Sequence, residues 1–245
     1  MIGRLVARQA LSQQQEQAMW SLFEKHFTDV APQRFQEDLA TKNWILLIEN
    51  GDTGVVGFST LLFEVIQLDG DPVSLVYSGD TIMDPSAWGS PILSRAWIHS
   101  VLHLNETYGK GRLWWLLLTS GFRTYRFLPL YYKEFFPCFD RQTPVKIARN
   151  MNLLAARQYS NEFDPNSGIV RFKQPQCLDA HLVQVPESRL KDPHVSFFLE
   201  KNPNHARGDE LVCITEISRD NLTRAGLRMV RSPKVQSTDA GILIN

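Results

Sequence analysis

The chain has 245 residues, of which 43% are apolar, and its 26 basic and 26 acidic side chains leave a formal net charge of zero at pH 7. This length can bury one substantial core, whereas the balanced charge disfavours binding to a nucleic acid or another polyanion. The longest apolar run, 113–118, is far shorter than the roughly 20 residues that cross a bilayer, and the first residues lack a secretory pattern. We therefore predict a cytoplasmic globular protein without a membrane span, whose three cysteines are reduced thiols.

The first predicted elements are a strand at 4–9 and two helices. Ser12 and Gln15 have the spacing of a capping box, and apolar residues then recur on one helical face. The second helix starts at Pro32, because a proline lacks the N–H that would have no partner in a first helical turn. The chain thus begins with one strand followed by two helices.

A meander of three antiparallel strands follows, since runs rich in β-branched and apolar residues lie at 44–48, 55–66 and 73–83. The next helix begins near Ile92, with apolar residues at one-and-four spacing. A fully buried strand at 113–118 and a helix over 125–135 come next. The predicted order is strand, helix, helix, three strands, helix, strand, helix.

The last third of the chain is predicted to extend this core. Pro144 starts a helix that turns Val145 inward, and Asp192 precedes another helix. Closing strands are predicted at 168–172 and 182–185. The predicted domain organisation is a core at 1–140, an extension at 141–230 that completes the same domain, and a mobile tail at 231–245.

The order of elements in residues 4–137 resembles that of the GNAT superfamily of acyltransferases. The resemblance implies an α/β fold with a mixed, mostly antiparallel central sheet flanked by helices, here with a helical and strand C-terminal extension. In that family the helix after the fourth strand presents its first amides to the pyrophosphate of an acyl-coenzyme A. Unpaired N–H groups and the helix dipole suit an anion at this place.

The loop that corresponds to the family's pyrophosphate loop reads Trp88-Gly89-Ser90-Pro91-Ile92-Leu93. Pro91 and Leu93 stand where the family has its glycine and its second small residue, and Trp88 stands in place of Gln or Arg. The resemblance assigns the contacts with acyl-CoA or acyl-phosphopantetheine, both of which are co-substrates, to Met83, Trp88, Gly89, Ser90 and Ile92.

Because Pro91 and Leu93 crowd the loop amides, we expect coenzyme A to be held loosely. One alternative donor is an acyl carrier protein, whose phosphopantetheine brings a single phosphodiester. Another alternative is a loop that has lost its ligand and only turns the chain.

The resemblance also implies a proton donor at the end of the fourth helix, where a tyrosine in the family often protonates the departing thiolate. Tyr132 in "LYYKEFFP" occupies this position. A phenol is protonated at neutral pH and can donate to sulfur as negative charge develops. Two alternatives are that Tyr131 or Tyr125 has this role, or that Tyr132 belongs to an aromatic stripe that only packs.

Asp80 is the predicted base, since it lies in the fourth predicted strand and could accept a proton from an acceptor amine. Thr119, directly after the fifth predicted strand, is the predicted hydrogen-bond donor to the acceptor or thioester. Two structural alternatives for Asp80 are a strand carboxylate that faces solvent and one that pins a bulge of the strand by accepting backbone N–H bonds. His99 and His103 are four residues apart, but we place them on a solvated helix face and predict no metal site.

The resemblance implies an N-acyltransferase that moves an acyl group, with fatty acyl groups favoured, from a pantetheine thioester to an amine. The expected acceptor is an amino acid, a polyamine or a peptide, and an acyl carrier protein is a possible partner. No nucleic acid is expected as a partner, and the protein is expected to be a monomer or a homodimer. The alternative is a non-catalytic GNAT-like module that binds an acyl thioester or a protein partner.

Overall fold

The computed structural model describes residues 1–51, 54–231, 235–238 and 241–244. The strands in chain order are β1 Ile2–Ala7, β2 Phe27–Thr28, β3 Trp44–Asn50, β4 Gly54–Leu68, β5 Asp71–Met83, β6 Leu113–Thr119, β7 Phe163–Asp164, β8 Ile169–Val170, β9 Cys177–Leu178, β10 Glu210–Glu216, β11 Val235–Thr238 and β12 Gly241–Ile244. The helices are α1 Gln13–His26, α2 Pro32–Ala40, α3 Ile92–Tyr108, α4 Phe122–Tyr125, α5 Phe127–Tyr131, α6 Val145–Tyr159, α7 Ala180–Val183, α8 Glu187–Leu190, α9 Pro193–Lys201 and α10 Arg224–Met229.

The chain forms two compact units, the first made of 1–26, 30–113 and 227–245 and the second of 27–29 and 114–226. In the first unit the strands lie in the order β11-β12-β1-β3-β4-β5 and pair antiparallel. The core of this unit comes from the inward faces of the sheet and of its helices.

Helix α3 packs closely on β1, because Gly3 of β1 leaves no side chain between the two elements. A Cβ at Gly3 would lie 2.4 Å from the Cβ of Ala96. The capping box predicted for α1 is present, since the Ser12 amide donates to the Gln15 side chain at 3.0 Å and the Gln15 amide donates to the Ser12 hydroxyl at 3.2 Å.

The second unit has the strand order β6-β10-β8-β7, again antiparallel, and a separate pair formed by β2 and β9. Strand β6 is buried along its whole length. Helix α9 starts as predicted, because the Asp192 side chain accepts from the His194 amide and Pro193 occupies the first turn.

The predicted α/β class, with a large, mostly antiparallel sheet and flanking helices, is confirmed. The predicted order of elements is confirmed through β6, since β1, α1, α2, the meander β3 to β5, α3 and β6 follow one another as expected. Strand β8 lies within the predicted segment 168–172.

Three local predictions were wrong. The helix over 125–135 is instead α4 and α5, the latter ending at Tyr131. Segment 182–185 is not a strand, because Asp179 caps the short helix α7. Val145 opens α6 as predicted, but its side chain does not turn inward, because the residue is 88% exposed.

The division into a core at 1–140, an extension at 141–230 and a tail at 231–245 stays a prediction. Within the predicted tail, 235–238 and 241–244 are strands, whereas 232–234, 239–240 and 245 lie outside the described residues. Among the helices that the structure describes, none combines the length and apolar character needed to cross a membrane.

Candidate functional site

A β-bulge interrupts the pairing of β4 with β5 in the first unit. Ser59 on β4 pairs with Thr81 on β5. Two residues later on β4, Leu61 pairs with Ser78, which lies three residues earlier on β5. One residue of β4 therefore faces two residues of β5, and the second of these is Asp80. Bulges re-aim side chains and recur beside active sites.

An ion pair whose lysine is buried lies near this bulge, at the C-terminal end of α2. The Lys42 ammonium donates to the two carboxylate oxygens of Asp38 at 2.7 and 2.8 Å. It also donates to the Thr41 hydroxyl at 2.9 Å and to the Asp38 backbone carbonyl at 3.2 Å. The Lys42 side chain is 1% exposed, whereas that of Asp38 is 39% exposed. A cation at this position also complements the helix dipole.

The pKa of Asp80 is raised to about 7, mainly because burial disfavours the charged carboxylate and also because of the nearby Asp38. The positive charges of Lys42 and Arg34 act in the opposite direction and lower the pKa of Asp80. Asp80 as a residue is half-buried. A carboxyl group that titrates near neutral pH can act as a general base.

Hydroxyl groups line the β4 side of the bulge. The Ser59 and Thr81 hydroxyls are hydrogen-bonded to each other at 2.8 Å. The Thr60 side-chain oxygen is buried and has no hydrogen-bond partner among the residues that the structure describes. The bulge therefore combines one titratable carboxyl group with neutral polar groups.

The loop between β5 and α3 contains the residues predicted to contact the donor. Asp84 caps a 3₁₀ turn at Pro85–Ala87 by accepting from the Ser86 amide. The Trp88 indole donates to the Met83 carbonyl at 2.7 Å, although 47% of this residue is exposed. Gly89 is exposed, Ser90 is half-buried and Ile92 is buried.

Most amides of this loop are bonded to the chain itself. The Ala87, Trp88 and Ser90 amides donate to backbone carbonyls, and the Ile92 amide donates to the Ser90 hydroxyl at 3.2 Å. Pro91 has no N–H group. Within the described part of this segment, the amides without a partner are those of Gly89, Leu93 and Ser94. Three amides can hold one phosphate group, but the other amides are not free for a second.

Tyr132 lies in the second unit, immediately after α5. Its amide donates to the Leu128 carbonyl at 2.8 Å, its backbone forms a bridge with Leu222, and its ring lies 5.9 Å from that of Trp115. Only 3% of Tyr132 is exposed. Burial, together with Tyr131, raises the pKa of Tyr132, so this phenol stays protonated at neutral pH.

Thr119 and Tyr125 are engaged in local structure of the same unit. The Thr119 hydroxyl donates to the Gly121 carbonyl and accepts from the Gly121 amide, both at 3.0 Å. The Tyr125 hydroxyl donates to the Pro137 carbonyl at 2.9 Å, and Tyr125 is fully buried. Of the three tyrosines considered, Tyr125 has the contacts of a packing residue.

His99 does not lie on a solvated helix face, contrary to our interpretation of the sequence. It is buried, and its ring nitrogen is 2.9 Å from the Met229 carbonyl. His103, in contrast, lies beside the exposed Thr107. Among the described residues, no group of three or more His, Cys, Asp or Glu could hold a metal ion.

Asp38 and Lys42 were not among the residues predicted from the sequence. Their i,i+4 spacing at the end of an amphipathic helix is a signal for a side-chain ion pair. Burial of the ammonium beside the bulge, however, depends on long-range packing. The structure thus places Asp80 with Asp38 and Lys42 in one unit, and Tyr132 with Thr119 in the other.

Comparisons with known proteins identify partial structural similarity only. No family model and no curated protein matches the sequence. A protein from Enterococcus faecalis V583, described as a probable N-acyltransferase, has a TM-score of 0.40 and 16% identity over 55% of this chain and 33% of its own. The matched part of this chain thus spans about one third of the length of that protein.

Two structures from Escherichia coli are similar to the same extent. The GNAT family N-acetyltransferase YhbS, solved in complex with CoA, has a TM-score of 0.37 and 14% identity over 52% of this chain and 68% of its own. ElaA has a TM-score of 0.38 and 16% identity, over 59% and 95% of the two chains. The bound CoA is a feature of the YhbS structure and is not assigned to the present chain.

Proposed function

We propose that this protein transfers an acyl group from a pantetheine thioester to an amine. The observation that carries the proposal is the carboxyl group of Asp80, which lies in a strand bulge and has a pKa of about 7. An amine acceptor is largely protonated at neutral pH and must lose a proton before it can attack. A carboxylate whose pKa is near the working pH is suited to take that proton.

The reaction balances with Asp80 as the base. Asp80, directly or through water, accepts a proton from the ammonium form of the acceptor. The free amine then attacks the thioester carbonyl, a C–N bond forms, and the C–S bond breaks as the tetrahedral intermediate collapses. The second amine proton is released, and the departing thiolate takes up a proton to become a thiol.

Tyr132 is the proposed donor of the proton to the thiolate. Its raised pKa keeps it protonated until negative charge develops on sulfur. Thr119 is proposed to orient the acceptor or the thioester, although its hydroxyl already bonds to Gly121. The donor contacts are proposed at Met83, Trp88, Gly89, Ser90 and Ile92.

The loop supports a donor whose affinity depends little on its diphosphate. The amides of Gly89, Leu93 and Ser94 are the ones left in this segment for contact with a phosphate group. We therefore propose an acyl-phosphopantetheine donor, either acyl-CoA held loosely or an acyl carrier protein, with the remaining affinity coming from the acyl chain or from protein contact. Fatty acyl groups are the favoured class, with N-acylation of an amino acid, a polyamine or a peptide.

The test is a transfer assay with short and long acyl-CoAs and with acyl carrier protein against a panel of amines, read by mass spectrometry. Calorimetric titration of free CoA and of a long-chain acyl-CoA accompanies the assay. We expect N-acylated product and at least about tenfold tighter binding of the acylated donor. Tight binding of free CoA without a gain from the acyl chain would contradict the donor proposal.

The same loop favours a second candidate function, a module that binds an acyl thioester or a protein partner without turnover. Self-bonded amides are expected if the loop serves only to turn the chain. Binding of a thioester without product formation with any amine, at any pH between about 6 and 9, would favour this second function.

A further inference from the structure

Gly79, the residue before Asp80 in the bulge, lies against the Lys42 side chain. A Cβ at Gly79 would lie 2.7 Å from Lys42 Cε and 2.5 Å from the Thr60 hydroxyl oxygen. Both distances are shorter than real Cβ contacts, so the missing side chain of Gly79 lets the lysine lie against the strand. The residue directly after this contact is Asp80.

Several contacts hold the Lys42 side chain against Gly79. Asp38 and Thr41 hold its ammonium group with hydrogen bonds of 2.7 to 2.9 Å. The ammonium group also lies 5.5 Å from the centre of the Tyr77 ring, within cation–π range. Lys42 is therefore fixed at both ends of its stem, by its backbone after α2 and by these contacts.

We propose that Lys42 and Asp38 form a positioning pair that holds the Gly79–Asp80 bulge, and with it the Asp80 carboxyl group, in place. This inference rests on the proposed function only in giving Asp80 the role of the base. Neither residue of the pair is proposed to touch the substrate. The two residues act on the reaction through Asp80.

The two partners affect Asp80 in opposite directions. Lys42 lowers the pKa of Asp80 and Asp38 raises it. Arg34, also on α2, lowers this pKa as well, whereas the facing residues of β4, Ser59 and Thr60, are neutral. Opposite signs make the proposal testable, because a general loss of structure would not shift the titration in two directions.

The experiment follows the carboxyl carbon of Asp80 by NMR between about pH 4 and pH 9, with the signal assigned by its absence in Asp80→Asn. Lys42→Met keeps the length of the stem and removes the charge, and Asp38→Asn keeps the shape and removes the opposite charge. Controls are Lys25→Met and Glu37→Gln, which remove exposed charges from α1 and α2. Thermal melts check that each variant folds.

We expect Lys42→Met to raise the titration midpoint of Asp80 by about one pH unit and Asp38→Asn to lower it by a similar amount. The two controls should leave the midpoint unchanged. In the transfer assay, the acidic limb of the kcat/KM profile should move with the same signs. A midpoint that moves in the same direction in both variants, or in neither, would overturn the proposal.

Failure of a variant to fold and failure of the proposed function can each be told apart from failure of the positioning pair. Asp38 is partly exposed and can be hydrated when Lys42 is replaced, so Lys42→Met is expected to fold. If it does not fold, the downward shift in Asp38→Asn decides the question alone. The NMR measurement needs no substrate: opposite shifts in a protein without transferase activity would support the positioning pair and contradict the proposed function.

Discussion

Asp80 and Tyr132 are the two candidates for proton transfer, and the chain surrounds them with different kinds of residue. Asp80 is half-buried in a strand bulge near Asp38 and Lys42, and its pKa is about 7. Tyr132 is 3% exposed beside the Trp115 ring, and its pKa is raised. Burial raises both pKa values, but only at Asp80 do charged side chains of both signs act as well, and there the pKa lies near neutral pH.

This difference has a consequence for stability. An ionised carboxylate with a raised pKa costs folding free energy, so the surroundings of Asp80 do not favour the charged folded state. The buried ring of Tyr132, in contrast, contributes apolar packing. Replacement of the polar atoms should therefore be tolerated at both positions, but loss of the ring should not be tolerated at Tyr132.

The largest effect is expected for Asp80→Asn, which removes the base and keeps the shape of the side chain. Turnover should fall by ~10³-fold, within the range of general base catalysis. The acidic limb of the wild-type kcat/KM profile, with its midpoint near pH 7, should disappear. Glu37→Gln, a neutralised exposed carboxylate on α2, is the control. A sharp fall in melting temperature with unchanged activity per folded molecule would show that Asp80 is structural.

A smaller effect is expected for Tyr132→Phe, which keeps the ring against Trp115 and removes the proton donor. Turnover should fall by ~10²-fold, the scale of one positioned acid, and donor affinity should be preserved. The loss should appear in kcat, because the thiolate forms late in the reaction, and it should shrink with a donor thiol of lower pKa. Tyr125→Phe and Tyr131→Phe are the matched comparisons. Equal activity of Tyr132→Phe and wild type would exclude this tyrosine.

Local sequence patterns were sufficient for most elements that frame the Asp80 region. The capping box at Ser12, the proline that opens α2 and the β-branched runs of the meander depend on neighbouring residues only. Asp80 could therefore be placed in its strand. The register of the bulge could not be predicted, because it results from a one-residue mismatch between two paired strands.

The region of Tyr132 was harder to predict, because long-range contacts end its helix. Tyr132 forms a bridge with Leu222, and Phe136 forms one with Ile214. The Asn221 side chain accepts from the Glu134 amide at 2.7 Å and ties the same segment down. Helical periodicity alone continues through these residues. The burial of His99 was not predicted for the same reason, since its partner Met229 is 130 residues away along the chain.

The smallest expected effect concerns the pH dependence of stability and distinguishes the two regions without any substrate. The pKa of Asp80 is raised from 3.8 to about 7 in the folded protein, so the folded state binds more protons than the unfolded state between these values. Its contribution to stability therefore increases as the pH falls from 8 to 5. Partial exposure limits this gain to about 1 kcal/mol.

The free energy of unfolding is measured with denaturant for wild type and Asp80→Asn at pH 5 and pH 8. The gain is the double difference, that is, the change between the two pH values in wild type minus the same change in Asp80→Asn. Asp80→Asn should be the more stable protein at pH 8 relative to wild type, and this advantage should shrink at pH 5, where wild-type Asp80 is largely protonated. The carboxyl groups of Asp84 and Asp140 have lowered pKa values, so they lose their contribution only at more acidic pH and cancel in the difference. Tyr132→Phe should show no such pH dependence in this range, because the tyrosine stays protonated throughout. A double difference of zero for Asp80→Asn would mean that Asp80 titrates at its ordinary pKa, and the contrast between the two regions would then have no electrostatic basis.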